Sequence, residues 1–97
     1  MQSYIDLRFY GRDQDPLLAA SVHRCVARLA GAGHVVQRAA VAIASENRRR
    51  TGVTLSLTLL GGELAVATTA HADPYVAIAE AFRIAERRLA TTRRLAA

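Results

Sequence analysis

The sequence predicts a single α+β domain over residues 1–97 with the order β-α-β-β-β-α, a four-stranded and mostly antiparallel sheet carrying two helices packed on one face. Three observations predict it. Apolar and polar residues alternate strictly through YIDLRFY (residues 4–10) and VTLSLTLL (53–60), the period of a strand with one buried face. The dipeptide Asp-Pro occurs at Asp15-Pro16 and again at Asp73-Pro74, each time ahead of apolar residues at helical spacing. Gly61-Gly62 separates two strand-like runs, as a hairpin requires.

In the first strand Ile5, Leu7 and Phe9 share one face, while Asp6 and Arg8 share the other. The first helix is expected from about 16 to 30, where Leu18, Val22, Cys25, Val26 and Leu29 recur, and Gly31 and Gly33 stop it. A second strand follows between Val35 and Ser45, with Val41 and Ile43 on one side and Ala40 and Ala42 on the other. The polar run from Glu46 to Gly52 predicts an exposed connection. In the third strand Val53, Leu55, Leu57 and Leu59 point one way, and Thr54, Ser56 and Thr58 the other. A two-residue hairpin at Gly61-Gly62 leads to a fourth strand over 63–71, with Leu64 and Val66 on one face. The second helix spans roughly 74 to 94, on a stripe of Tyr75, Ile78, Phe82, Ala85 and Leu89.

Composition narrows the function. The chain is 52% hydrophobic but only 5% aromatic, so its core must be built from aliphatic side chains. All 13 basic side chains are Arg, and eight acids leave a net charge of +5. Such a surface attracts polyanions, and guanidinium groups bind phosphate through paired hydrogen bonds and stack on bases. With one cysteine, Cys25, no internal disulfide can form. The first residues, MQSYIDLRFYGRD, lack the apolar stretch of a secretory signal, and no run reaches the ~20 residues of a membrane span. A cytoplasmic protein without a membrane partner is expected.

The arginines concentrate on the helices. Arg83, Arg87 and Arg94 fall at i, i+4 and i+11 on one solvent-facing stripe, flanked by Arg88 and Arg93. Favourable charge near a helix C-terminus explains one or two of these, not five against the single Glu86. Arg24 and Arg28 form a smaller i, i+4 pair on the first helix. These seven are the expected RNA-binding residues, and the triple Arg48, Arg49 and Arg50 is a further candidate that solubility alone also explains.

Catalysis finds little support. The acids are scattered, two of them being helix caps, and no glycine-rich phosphate loop is present. His23, His34 and His71 lack metal-ligand spacing and are expected on the surface or in loops. Cys25 lies on an apolar stripe and is expected in the core. Packing is the expected role of Tyr75, and of Tyr4 and Tyr10 on the polar side of the first strand, rather than stacking on a base. No enzyme activity, cofactor, metal or small-molecule substrate is expected.

Leu60-Gly61-Gly62-Glu63-Leu64, followed by Asp73-Pro74-Tyr75-Val76-Ala77-Ile78 and then Glu86-Arg87-Arg88-Leu89, resembles the signature of the ribosome hibernation-promoting factors, also called the ribosome-associated inhibitor A or protein Y family. The similarity covers essentially the whole chain in the same element order. It implies a fold resembling double-stranded RNA-binding domains and a factor seated in the messenger and transfer RNA channel of the small ribosomal subunit, silencing idle ribosomes under stress. Arg28, Arg87, Arg88 and Arg93 stand where such factors keep basic residues. Cys25 and Ile84 occupy positions often basic in relatives, and Pro74 replaces a usual Met. A short-form member, monomeric away from the ribosome, is expected. The alternative on the same scaffold is a regulatory protein-interaction module or a binder of other structured RNA.

Overall fold

The computed structural model describes residues 4–96, with side chains described for 4–91. The order is β1 (Tyr4–Tyr10), α1 (Pro16–Gly31), β2 (Val36–Asn47), β3 (Arg50–Leu59), β4 (Leu64–His71) and α2 (Pro74–Ala96). The strands form one sheet in the spatial order β1-β2-β3-β4. β1 and β2 run parallel, joined by α1, and the other pairs are antiparallel. The predicted α+β class and element order are therefore observed.

Alternation in the strands produces the two-layer form. Val41 and Ile43 on β2, Val53, Leu55 and Leu57 on β3, and Ala65 and Ala67 on β4 are all buried on one face. Leu18, Val22, Val26 and Leu29 of α1 and Ala77, Ile78, Ala81, Phe82, Ala85 and Leu89 of α2 close over them. The opposite face is bare among the described residues. Leu64 and Val66 lie there, 60% and 42% exposed, because β4 presents its small residues to the helices. Thr69 adds a buried polar tie, donating its hydroxyl to the Ala77 carbonyl of α2 at 2.7 Å.

Both helix starts follow their local chemistry. The Asp15 carboxylate accepts from the Leu17 and Leu18 amides at 2.9 and 3.3 Å, and Asp73 accepts from Tyr75 at 2.9 Å. At the end of α1 it is Gly33, at φ 92°, that turns the chain. Gly33 N–H donates to Ala30 O and His34 N–H to Leu29 O, so the residue after the glycine folds back onto the core. His34, in the α1–β2 loop as expected, is consequently 7% exposed and so is not a surface histidine.

Two loops and one strand register differ from expectation. The β2–β3 connection is shorter than the predicted run from Glu46 to Gly52: both strands extend into it, only Arg48 and Arg49 turn, and Thr51 and Gly52 are buried. Four residues, 60–63, separate β3 from β4 where two were expected. Gly62 N–H donates to Leu59 O, Leu59 N–H donates to Glu63 O, and Gly62 alone of the pair has positive φ, at 90°. This is a turn closed by a left-handed glycine bulge. A register shift between Val36 and Arg38 then sends Val36 into the core and Arg38 onto the bare face.

Candidate nucleic-acid interface

β1 and β4 end in the same row of the sheet, Tyr10 pairing with Ala44, Ala44 with Gly52, and Gly52 with Ala70. The two helices that follow them therefore start at one end of the molecule and run side by side in the same direction. At 1.5 Å per residue, Arg24 and Arg83 lie about 12 and 14 Å along their helices, and Arg28 and Arg87 about 18 and 20 Å. The two pairs thus stand roughly level across neighbouring helices. A narrow cleft lined by Cys25, Arg28, Leu29, Ala79, Phe82 and Glu86 marks the seam between them.

Arg24, Arg28, Arg83 and Arg87 are all exposed on the outer side of the helix layer. They stay there because each lies off the apolar stripe of its helix. The opposing charge is small: Glu80 pairs with Arg83 at 3.8 Å, and Glu86 is half-buried in the seam. An exposed pair of this kind contributes at most about 1 kcal/mol and leaves the guanidinium accessible. Arg93 and Arg94 belong to the last turns of α2, but their side chains lie outside the described residues.

The remaining candidates separate from this group. Arg88 points toward the free edge of β4, where its guanidinium donates to the Val66 carbonyl. It lines an open groove with Leu64, Ala65, Val66, Ile84, Arg87 and Thr91. Arg48, Arg49 and Arg50 are exposed at the β2–β3 hairpin, the end from which both helices start, about 20 Å from the level of Arg87. Arg50 reaches the β4 edge, donating to Ala70 O at 3.5 Å, and Arg49 N–H donates to Asn47 Oδ1 at 2.8 Å.

Cys25 is only half-buried, on the helix seam, and not in the centre of the core as its stripe suggests. Burial pushes its thiol up from the ordinary range, against the smaller opposing pull of Arg28 and Arg24. Tyr75 is 40% exposed, so it stands at the margin of the apolar stripe. Among the described residues no group of three or more His, Cys, Asp or Glu is placed to hold a metal, and no helix is long and apolar enough to cross a membrane.

Sequence reasoning passed over a second basic cluster on the bare face. Arg8 Nε and Arg38 Nη2 donate to the two oxygens of Asp6, at 3.4 and 3.3 Å. Asp6, and after it Tyr10, raise the pKa of Arg8 further above its ordinary value. Alternation within β1 already placed Arg8 beside Asp6, whereas Arg38 is brought there by the register shift ahead of it, for which the sequence carries no local mark.

No family model and no curated protein matches the chain. Solved structures do. A ribosomal subunit interface protein from Coxiella burnetii superposes with a TM-score of 0.76 at 16% identity, over 93% of this chain and 97% of that one. The Protein Y N-terminal domain of Thermus thermophilus superposes with a TM-score of 0.72 at 22% identity, over 95% of this chain and 94% of that one. The chain is therefore built, over nearly its whole length, on the fold that these two proteins share.

Proposed function

We propose that the chain is a ribosome-associated translation inhibitor of the hibernation-factor kind, held on small-subunit ribosomal RNA by its helix layer. The observation that carries this reading is the exposure of Arg24 and Arg28 on α1 and of Arg83 and Arg87 on α2, two neighbouring helices that run in the same direction. Four exposed guanidinium groups on a rigid, pre-folded surface suit the phosphates of a folded RNA, recognised by shape and charge without base readout. The shared fold with a protein described as a ribosomal subunit interface protein supports the same partner.

The mechanism is steric. A factor of this size seated on ribosomal RNA occupies the path of messenger and transfer RNA, and no bond is made or broken. Arg93 and Arg94 continue the basic sequence of α2. Arg88 contributes from the flank, and the hairpin arginines Arg48, Arg49 and Arg50 stand apart as a possible second point of attachment. The protein acts as a monomer in the cytoplasm, without cofactor.

The direct test is sedimentation of ribosomes through sucrose with and without the protein. Co-migration with small subunits or whole ribosomes, released by raised salt, is expected. Absence from every ribosomal fraction sinks the reading and leaves a regulatory protein-binding role or another structured RNA.

A further inference from the structure

The bare face of the sheet is built differently from the helix face. Tyr4 and Tyr10 stand at its two ends along β1, 62% and 51% exposed. Six residue steps along the strand carry one to the other, about 20 Å, which is room for a few extended nucleotides. Arg8 rises between them, and Arg38 rises from β2 directly beside Tyr4. Each uses N–H groups on Asp6, yet their side chains remain 66% and 55% exposed. The Arg38 guanidinium also lies 5.8 Å from the centre of the Tyr4 ring.

Beside this row the sheet is low. Ala40 and Ala42 on β2 and Thr54 and Ser56 on β3 line a shallow trough next to the two arginines. No side chain there is larger than threonine, so a planar group can lie against the strands. Two guanidiniums oppose one carboxylate in the row, and Glu46, whose carboxylate overlies Gly52, bounds it at the β2–β3 hairpin. An apolar peptide finds no continuous greasy surface here. Cations set beside exposed rings instead match phosphates set between bases.

We propose that this face is a second RNA surface, which takes a short single-stranded segment with bases stacked on Tyr4 and Tyr10 and phosphates held by Arg8 and Arg38. Rings accept any base, so the surface is tolerant of sequence. It lies on the opposite side of the sheet from the helix arginines and does not depend on them. A chain with both surfaces holds a folded RNA on one side and a loose strand on the other.

The test uses the full chain and a fluorescein-labelled, uridine-rich RNA of about eight nucleotides, read by fluorescence anisotropy. The double variant Tyr4→Ala with Tyr10→Ala is expected to weaken binding about tenfold or more per ring, while Tyr4→Phe with Tyr10→Phe stays close to the parent. Crosslinks from a 4-thiouridine version of the RNA are expected on β1. Ribosome co-sedimentation of the alanine variant stays unchanged if the two surfaces are separate. Unaltered RNA binding by the alanine variant, or crosslinks confined to the helices, overturns the proposal, as does a face that captures no RNA at all.

Discussion

Reversing two charges on the outer side of α2, Arg83→Glu together with Arg87→Glu, isolates the helix surface from the fold. Both side chains are exposed, and among the described residues the ion pair lost is that of Arg83 with Glu80 at 3.8 Å, worth at most about 1 kcal/mol. The circular-dichroism spectrum is therefore expected to stay native. If Arg24, Arg28, Arg83 and Arg87 each neutralise a phosphate, the log of affinity falls with the log of salt at a slope of about −3 to −4. A rise from about 50 to about 200 mM salt then weakens binding roughly 60- to 250-fold. Removing two of the four contacts lowers the slope to about half and the same salt step to about tenfold, before the repulsion of two new carboxylates is added. Co-sedimentation with ribosomes across a salt series measures both quantities. A variant that keeps a native spectrum together with the parent's slope and affinity refutes the helix surface.

Further outcomes follow from particular side chains. Phe82→Ala removes a ring that is 5% exposed between α1 and α2, and urea denaturation should show a loss of about 3 to 5 kcal/mol. Gly62→Ala puts a side chain at φ 90° with open space around it, so its cost of about 1 to 2 kcal/mol is purely conformational, and Gly61→Ala should cost less. Because burial disfavours the Cys25 thiolate, alkylation should be slow near neutral pH and accelerate only above the ordinary thiol range. Arg28→Ala should slow it further at a given pH, since Arg28 favours the thiolate, and reaction at the rate of a free thiol at neutral pH contradicts the seam geometry.

What the sequence showed was what is local. The alternation of Val53, Leu55, Leu57 and Leu59 and the caps at Asp15 and Asp73 are decided within a few residues, and each stands where expected. Features that depend on meeting another segment were hidden. His34 is buried because the Gly33 cap folds it back, and Thr51 because β3 begins before the apolar run does. Spacing alone placed Arg83 and Arg87 on one outer stripe, and Arg24 with Arg28 on another. It had no means of showing that β4 claims the guanidinium of Arg88, or that a register shift delivers Arg38 to the bare face beside Arg8.

The outer edge of β4 has a bearing on how the molecule survives at high concentration. An unpaired strand edge is a template on which another chain can add and polymerise, and Leu64 and Val66 would make such growth favourable. Arg88 and Arg50 occupy two of its carbonyls, at Val66 and Ala70, with charge that a second strand must displace. A strand adding there must first break both guanidinium–carbonyl contacts, so the same two arginines oppose growth along this edge.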